Sequence, residues 1–381
     1  MALKLTSRQA RRAFLIGAAA SILVVAGCQS RPRPPAGPPP FEPLPAPPGQ
    51  SYNGVAVLVP LSGPDGRVGT SISNAAKLAL VDTGEKSLRI TVYDSAAAGG
   101  GPAAAQRAIR HGSRLILGPL LAEDVRAAAP VARQAGVPVI AYSNDEGVAG
   151  NGVYIMGFTP DQSIGRVVSY ARSRGINSFG ALIPTGLYGQ RAGQALLGAV
   201  RKSGGRLVSM ESYDRSQASI TAAARRLNAK GEVDAVLIGD ASRMAALAAP
   251  VLKVGPRRLG TELWGTDRTI SQLRPLRGAW FAAAPDAQFD RLVTRYRARY
   301  GKTPYRLASL GYDSVLLAVR SARNWPIGAA FPARTLIDKD GFAGVDGSFR
   351  FDRNGIAERL LEVREVTQAG TTSVSPAGKT F

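Results

Sequence analysis

The chain has 381 residues, 45% of them hydrophobic and 20% charged, which is an ordinary globular composition and enough for two lobes with sizeable cores. Its formal net charge of +21 is scattered along the sequence, without long runs of Lys and Arg, so we expect no nucleic-acid-binding surface. One cysteine and one histidine exclude a zinc site built from Cys and His side chains.

The chain opens with a predicted export signal, residues 1–27. Four basic residues and no acidic one accompany an apolar stretch of about 13 residues, Phe14–Ala26, which is shorter than the roughly 20 residues of a membrane-spanning helix. The segment Leu23–Cys28 resembles a bacterial lipobox, whose cysteine is acylated after cleavage. Cys28 is therefore the predicted lipid anchor, and its acyl chains would hold the protein on a membrane that it does not cross.

The signal also bears on the export route and on the membrane. The segment Arg11–Leu15 resembles a twin-arginine signal, but an ordinary charged signal explains the same residues, so the Sec and twin-arginine routes both stay open. Gln29, directly after Cys28, resembles the residue that directs enteric lipoproteins to the outer membrane. We predict a protein that faces the periplasm and is anchored to the outer membrane.

Residues 28–50 are a predicted linker. Ten of the twenty residues from Arg31 to Gln50 are proline, which favours an extended polyproline II stalk. At about 3.1 Å per residue, this stalk would hold the body some 60 Å from the lipid. Without the signal the formal charge is +17, which would attract anionic headgroups or cell-wall polymers, although a genome that favours arginine explains it equally well.

From Ser51 onward, short apolar runs alternate with longer amphipathic segments. The predicted strands are Val55–Val59, Leu88–Val92, Arg114–Leu117, Val137–Ala141, Ser178–Ile183, Arg206–Met210 and Ala235–Ile238. The predicted helices are Thr70–Val81, Pro102–His111, Ala122–Gln134, Gln162–Arg174, Tyr188–Ser203 and Ser219–Lys230. This alternation predicts an α/β protein of two lobes, each a parallel sheet with helices on both faces.

Candidate binding loops follow the predicted strands, because open parallel sheets bind ligands beyond the carboxyl ends of their strands. In the first series of elements these loops carry Ser62, Gly118-Pro119-Leu120 and Ser143-Asn144. In the second series they carry Tyr188 and Asp240. Helix starts in such loops present free N–H groups that favour anions, so two facing sets of loops would form a cleft for a small polar ligand.

Seven motifs, in order, resemble the leucine-binding type of periplasmic binding protein, the type I family. They are Val57–Pro64, Leu115–Leu120, Gly136–Ile140 before Ser143-Asn144, Tyr188-Gly189, Tyr300–Pro304, Gly311–Val315 and Gly344–Phe351. The resemblance covers nearly all of Ser51–Val366 and implies two lobes, joined by a hinge, that close on a ligand. With the hinge as a guide, lobe 1 is predicted at 51–158 plus 284–336, and lobe 2 at 159–283 plus 337–381.

Within this family, Gly118-Pro119-Leu120 and Ser143-Asn144-Asp145 most resemble the penicillin-binding protein activators, lipoproteins that stimulate cell-wall synthases. The amino-acid-binding branch keeps the cleft tyrosine, which matches Tyr188. Its two carboxylate-binding hydroxyl residues fall at Ala122 and about Asp145, and neither side chain suits a carboxylate. The resemblance therefore puts recognition of standard α-amino acids in doubt.

Three functions follow from these observations. The first is a non-catalytic regulatory lipoprotein whose partner is a penicillin-binding protein, that is, a cell-wall synthase. The second is the substrate-binding component of a branched-chain-type amino-acid ABC importer, with a small amino-acid-like ligand. The third is an exported nicotinamide-dependent oxidoreductase, suggested by Gly63, Gly66 and Gly69 before a helix, although their spacing is not that of a dinucleotide fingerprint. We expect no enzyme activity, no cofactor and no metal.

Overall fold

The structure is a computed structural model that describes residues 51–381. The predicted signal, Cys28 and the proline-rich linker lie outside the described residues. Among residues 51–381, none of the helices combines the length and the apolar character that a bilayer-spanning segment needs.

Strands and helices alternate along the described chain. The strands are β1 (Asn53–Val59), β2 (Leu88–Asp94), β3 (Ser113–Leu117), β4 (Val139–Ala141), β5 (Val153–Ile155), β6 (Ser178–Pro184), β7 (Arg206–Tyr213), β8 (Ala235–Ile238), β9 (Arg257–Gly260), β10 (Trp280–Ala283), β11 (Phe342–Gly344), β12 (Gly347–Phe351), β13 (Ala357–Arg359), β14 (Glu362–Val366) and β15 (Thr371–Ser375). The helices are α1 (Gly66–Thr83), α2 (Gly100–Arg110), α3 (Ala122–Gln134), α4 (Pro160–Ser173), α5 (Leu187–Lys202), α6 (Gln217–Ala229), α7 (Ser242–Ala248), α8 (Ala287–Tyr300) and α9 (Ala308–Ala322). Every strand and helix predicted from the sequence is present, with ends that differ by a few residues.

Two large sheets organise these elements. The first is parallel, with strand order β2-β1-β3-β4-β5. The second has the order β15-β14-β10-β9-β8-β6-β7, in which β14 runs antiparallel to both of its neighbours, β10 and β15, and the other pairs are parallel. The predicted two-lobed α/β fold is confirmed, and we call the first sheet with its helices lobe 1 and the second sheet with its helices lobe 2.

Each sheet is covered on both faces. Alternate residues of a strand point to opposite faces, and in β1 Val57 and Leu58 are both fully buried but belong to different hydrophobic clusters. The same holds in β6, where Ala181 and Leu182 belong to two further clusters. Burial on both faces explains why the strands read as continuous apolar runs in the sequence.

The strand orders fix where a ligand site can form. In lobe 1, the chain goes from β1 to β2 on one side and then returns to β3 on the other. In lobe 2, it goes from β6 to β7 and returns to β8. Because helices on the two sides of such a switch point separate at the carboxyl ends of the strands, a crevice forms there in each lobe.

A small antiparallel sheet, β11-β12-β13, lies beside lobe 1. A turn at Asn354-Gly355 connects β12 to β13, with Gly355 at φ 80°. Leu361 and Val363, which follow β13, join the core of lobe 2. Phe342, Phe349 and Phe351 of the small sheet share a core cluster with β1 and α9. The predicted lobe boundaries stay a prediction.

The chain crosses between the lobes after β5, after β10 and after β13, and a cluster of four buried charges lies at these crossings. Asp313 of α9 accepts hydrogen bonds from the backbone N–H groups of Val345 (2.8 Å) and Asp346. Asp346 is fully buried and pairs with Arg306. Burial, followed by repulsion from Asp346, raises the pKa of Asp313 to about 7.

Arg359 is the second cation of this cluster. Its Nη2 donates to the carbonyl of Met156 at 2.5 Å, while its Nε and Nη1 are buried without a hydrogen-bond partner. The guanidinium lies over the rings of Phe158 (4.6 Å) and Phe349 (5.0 Å). Arg359 therefore joins the crossing after β5 to the crossing after β13.

The third crossing is tied in by Asp286. Its carboxylate pairs with Arg364 of β14 and lies 3.8 Å from Nη2 of Arg306. Arg364 also donates to the carbonyl of Ala284 at 2.9 Å. A continuous chain of charges thus runs through all three crossing segments.

Removing one charge from this cluster should cost much stability, because it leaves an opposite charge buried and uncompensated. We expect Arg359→Met to lower the free energy of unfolding by about 3–5 kcal/mol in urea titrations. Arg350→Met is the matched control, since Arg350 and its partner Glu358 are both partly exposed and should contribute less than about 1 kcal/mol. Similar losses in the two variants would contradict the special role of the buried cluster.

Candidate functional site

The loop after β1 is held by Asp94 at the end of β2. One carboxylate oxygen of Asp94 accepts from the N–H of Leu61 (2.8 Å), and the other accepts from the hydroxyl of Ser62 (3.1 Å). These bonds fix an exposed Ser62 at the carboxyl edge of lobe 1. The predicted position of Ser62 at this edge agrees with the structure, and its role in binding stays a prediction.

Gly118 and Pro119 shape the edge through their backbone. Gly118 has φ 98°, and a Cβ there would collide with the carbonyl of Leu58, so the position requires glycine. The Gly118–Pro119 peptide is cis, and the carbonyl of Pro119 accepts from the N–H of Tyr142 at 2.9 Å. Leu120 is half-buried beside them. The segment offers backbone and apolar surface to the crevice.

The loop after β4 contains Ser143 and Asn144, which are predicted binding residues, and Asp145. The hydroxyl of Ser143 is buried and accepts from the N–H of Asp145 at 3.1 Å, so it stabilises the loop. Asn144 is exposed. Asp145 is only 4% exposed and accepts from the N–H of Gly147 at 2.9 Å. A buried carboxylate therefore occupies the middle of this loop.

In lobe 2, Tyr188 lies in the first turn of α5 and contacts a second buried carboxylate. Its hydroxyl is 2.9 Å from Oε1 of Glu262 and 3.0 Å from Oγ1 of Thr261. The hydroxyl of Ser163 donates to the other oxygen of Glu262 at 2.5 Å. Burial raises the pKa of Glu262 above its ordinary value, and burial likewise raises the pKa of Tyr188.

Asp240, the other predicted residue of lobe 2, is already fully engaged. It accepts from the hydroxyl of Tyr213 (3.0 Å), from Nε of Arg215 (3.0 Å) and from the N–H of Ala241 (2.8 Å). Its backbone carbonyl accepts from the indole N–H of Trp264. These contacts show a residue that organises the edge of lobe 2.

The two edges meet through an ion pair. Arg191, one turn after Tyr188 on α5, places Nη2 3.0 Å from Oδ1 of Asp145 in lobe 1. The second oxygen of Asp145 pairs with Arg126 of α3 in its own lobe. Gly147 makes room for this contact, since a Cβ there would collide with the guanidinium of Arg191. We call Asp145, Arg126 and Arg191 the interlobe triad.

The structure thus places the predicted residues at two facing edges: Ser62, Gly118, Pro119, Leu120, Ser143 and Asn144 on lobe 1, and Tyr188 and Asp240 on lobe 2. Sequence reasoning missed Glu262, because β9 before it is short and begins with two arginines. It also missed Arg191, although its spacing of three residues from Tyr188 on a helix was a usable signal. Arg126 carried no such signal.

The glycines that suggested a dinucleotide loop have a packing role here. A Cβ on Gly69 would collide with the carbonyl of Pro60, and one on Gly66 would lie 2.9 Å from the carbonyl of Leu61. They allow α1 to begin close against the end of β1. Within residues 51–381, no group of three or more His, Cys, Asp or Glu side chains is placed to hold a metal ion.

The interlobe triad should keep the cleft closed in the absence of ligand. Loss of this partly exposed ion pair in Arg191→Gln should shift the closed-to-open ratio by on the order of 1 kcal/mol, or about fivefold. Small-angle scattering should then show a larger radius of gyration. Arg126→Gln is the matched control, because it removes the partner within lobe 1 and leaves the interlobe bond. An unchanged radius in Arg191→Gln, or an equal increase in both variants, would contradict the prediction.

Comparisons with known proteins agree with this architecture. Residues 54–371 match the family model described as periplasmic binding protein. A curated relative, an uncharacterised protein of Rickettsia prowazekii (strain Madrid E), is 25% identical over 179 residues. The alignment covers 47% of this chain, and the chain spans about half (48%) of that relative's length.

Three solved structures share the fold at low identity. A candidate branched-chain amino acid ABC transporter protein of Rhodospirillum rubrum is 20% identical, with a TM-score of 0.74 over 85% of this chain and 100% of that one. The leucine-binding protein LivK of Thermotoga maritima is 18% identical, with a TM-score of 0.67 over 86% and 99%. A solute-binding protein of Rhodopseudomonas palustris BisB5, in complex with 3,4-dihydroxybenzoic acid, is 19% identical, with a TM-score of 0.66 over 86% and 99%.

The matched segment takes in both sheets, the three crossings and the two facing edges, and it covers most of the chain. The chain belongs to the periplasmic binding protein family, a family of ligand-binding proteins whose location is outside the cytoplasm.

Proposed function

We propose that this protein is the substrate-binding component of an ABC importer and that its ligand is a small molecule with a protonated amine. Family membership and the ABC transporter proteins among its structural neighbours support the transport role. Glu262 carries the proposal on the ligand. Among the described residues, this buried carboxylate accepts side-chain hydrogen bonds from the hydroxyl groups of Ser163 and Tyr188 and forms no salt bridge.

An amine would complete this arrangement. Burial of a carboxylate without a cation is unfavourable, which is why the pKa of Glu262 is raised. An ammonium group beside it would supply the missing charge, and a hydrogen bond between charged partners contributes more than one between neutral groups. Tyr188, which orients one oxygen of Glu262, would then be a positioning residue as well as part of the cleft wall.

The carboxylate of a standard α-amino acid meets a different surface. Ala122, at the start of α3, has no hydroxyl to donate, and Asp145 presents a carboxylate already held by two arginines. The loss of two donors to a charged group, at roughly 1.5–3 kcal/mol each, weakens binding by two to four decades. Free leucine, isoleucine and valine therefore fit this cleft poorly, although the family includes proteins named for them.

Binding of an amine ligand should depend on the charge of Glu262. Amino acids and dipeptides would be screened by thermal shift and the binders titrated by calorimetry, and Glu262→Gln should weaken them by about tenfold or more. Affinity should be constant at pH above the raised pKa of Glu262 and should fall as pH is lowered through it, because the protonated carboxyl no longer attracts the amine. The Glu262→Gln variant should lack this dependence.

Glu365→Gln is a control for this test. Glu365 lies in β14, and its carboxylate accepts a hydrogen bond from the indole N–H of Trp280, so it takes no part in the proposed amine site. Amine binders with equal affinity for wild type and Glu262→Gln would disprove the role of Glu262. A complete absence of binders among amino acids and dipeptides would count against the transport proposal as a whole.

The membrane anchor belongs to the same proposal. Acylation at Cys28 and the extended linker would keep the two-lobed body near a membrane, and the lipobox and the proline content support this placement. Gln29 favours the outer membrane, which suits the regulator described next better than an importer, because an uptake receptor held there would have to leave it to reach an inner-membrane permease.

A second candidate is a penicillin-binding protein activator, a regulator of cell-wall synthases. The interlobe triad favours it, because the chain's own Asp145 links the lobes where a ligand would otherwise do so. A body that is closed without a ligand suits a protein that presents a fixed surface to a partner.

The two candidate functions predict different effects of breaking the interlobe triad. If the closed body is the active regulator, Arg191→Gln should reduce capture of a penicillin-binding protein from envelope extract, detected with a labelled penicillin, whereas Arg126→Gln should retain it. Equal capture by both variants, or no capture by wild type, would leave transport as the function.

A further inference from the structure

A cavity of about 500 Å³ opens between the lobes, and no residue of the interlobe triad lines it. Lobe 1 contributes Arg67, in the first turn of α1, and Arg306, in the loop before α9. Lobe 2 contributes Trp264, Asp267 and Arg268, which follow β9. The cavity therefore has walls from both lobes, as a ligand cavity of a clamp requires.

The charges that line the cavity are not balanced locally. Four arginines and three aspartates line it, and Arg306 and Arg364 are paired with carboxylates. By contrast, Arg67 and Arg268 form neither a salt bridge nor a side-chain hydrogen bond with any residue that the structure describes. Arg268 lies only at 5.9 Å over the ring of Phe289.

The three carboxylates that line the cavity, Asp267, Asp286 and Asp290, form no salt bridge with these two arginines. Asp267 accepts from the hydroxyls of Ser242 (2.5 Å) and Thr269 (2.7 Å), and Asp286 pairs with Arg364. Arg67 from lobe 1 and Arg268 from lobe 2 are thus cationic side chains of the lining that no carboxylate of residues 51–381 neutralises.

The position of the cavity relates it to the amine site. The short helical segment Glu262–Thr266 carries Glu262 at its start, and Asp267 and Arg268 follow directly. Glu262 does not line the cavity itself, whereas Trp264 and the four residues after it do, so a ligand with its amine at Glu262 and an anionic group some atoms away would extend along this segment toward Arg268. The anionic group would then lie away from Asp145, which repels it.

We propose that Arg67 and Arg268 form an anion-binding subsite, which takes the distal carboxylate or phosphate of the amine ligand. This inference rests on the proposed function. Because the two arginines belong to different lobes, an anion between them adds an attraction that exists only when the cleft is closed. The subsite therefore selects amines with a second, anionic end and couples their binding to closure.

The test compares 4-aminobutyrate with 4-aminobutanamide by titration calorimetry, since the two have the same shape, lack an α-carboxylate and differ in the distal charge. Wild type should bind 4-aminobutyrate about tenfold more tightly or better, as expected for hydrogen bonds to a charged group. Arg67→Gln and Arg268→Gln should each reduce this preference to less than about threefold, with little effect on the amide. Inorganic phosphate should compete with 4-aminobutyrate if the subsite accepts phosphate as well, and should not if it is selective for carboxylates.

Arg291→Gln is the matched control, because Arg291 is an exposed residue of α8 outside the cavity lining and its loss changes the net charge equally. This variant should keep the preference for 4-aminobutyrate. Equal affinities for the two ligands in wild type, or an equal loss in Arg291→Gln, would disprove the subsite. Binding of the amide that depends on Glu262, without any preference for 4-aminobutyrate, would disprove the subsite alone, whereas no binding of either ligand would contradict the proposed function too.

Discussion

The two lobes depend on a small group of buried charges at the place where the chain passes between them. Arg306 and Arg359 face Asp313 and Asp346, so the group holds two charges of each sign when Asp313 is ionised and is expensive to disrupt. Its contacts reach Met156 on one crossing and, through Asp286, Arg364 on another. Hydrophobic contacts alone would let the crossing segments slide past one another. Directional hydrogen bonds and ion pairs hold the three crossing segments in one arrangement.

Much of the fold was predictable from local pattern. Strands such as Ala235–Ile238 and helices such as Ala122–Gln134 are set by burial and by short-range periodicity, and both have the predicted bounds. The elements that were missed lack such a pattern. β9 begins with two arginines, of which Arg257 lies over the ring of Trp280 and Arg258 donates to the carbonyl of Lys253. β14 alternates charged and apolar residues because it is an antiparallel strand next to the edge of the sheet.

The candidate site was predictable only in part, for a different reason. Strand ends locate the loops, so Ser62 and Tyr188 could be placed at facing edges from the sequence. Whether a side chain is free for a ligand depends on partners distant in the sequence. Asp240 is engaged by Tyr213 and Arg215, and Asp145 by Arg191, 46 residues away. Sequence spacing does not reveal such pairs, and the role of each predicted residue in binding still depends on experiment.

Gly147 gives the cleft a position at which its resting state can be adjusted. The residue touches no part of the cavity, and a side chain there would push the guanidinium of Arg191 away from Asp145. Ligand enters the open form and is held in the closed form, so the balance between the two sets both the rate of entry and the affinity. A single change from glycine to alanine would therefore speed ligand entry and shorten the residence of the bound ligand, without altering any group that contacts the ligand.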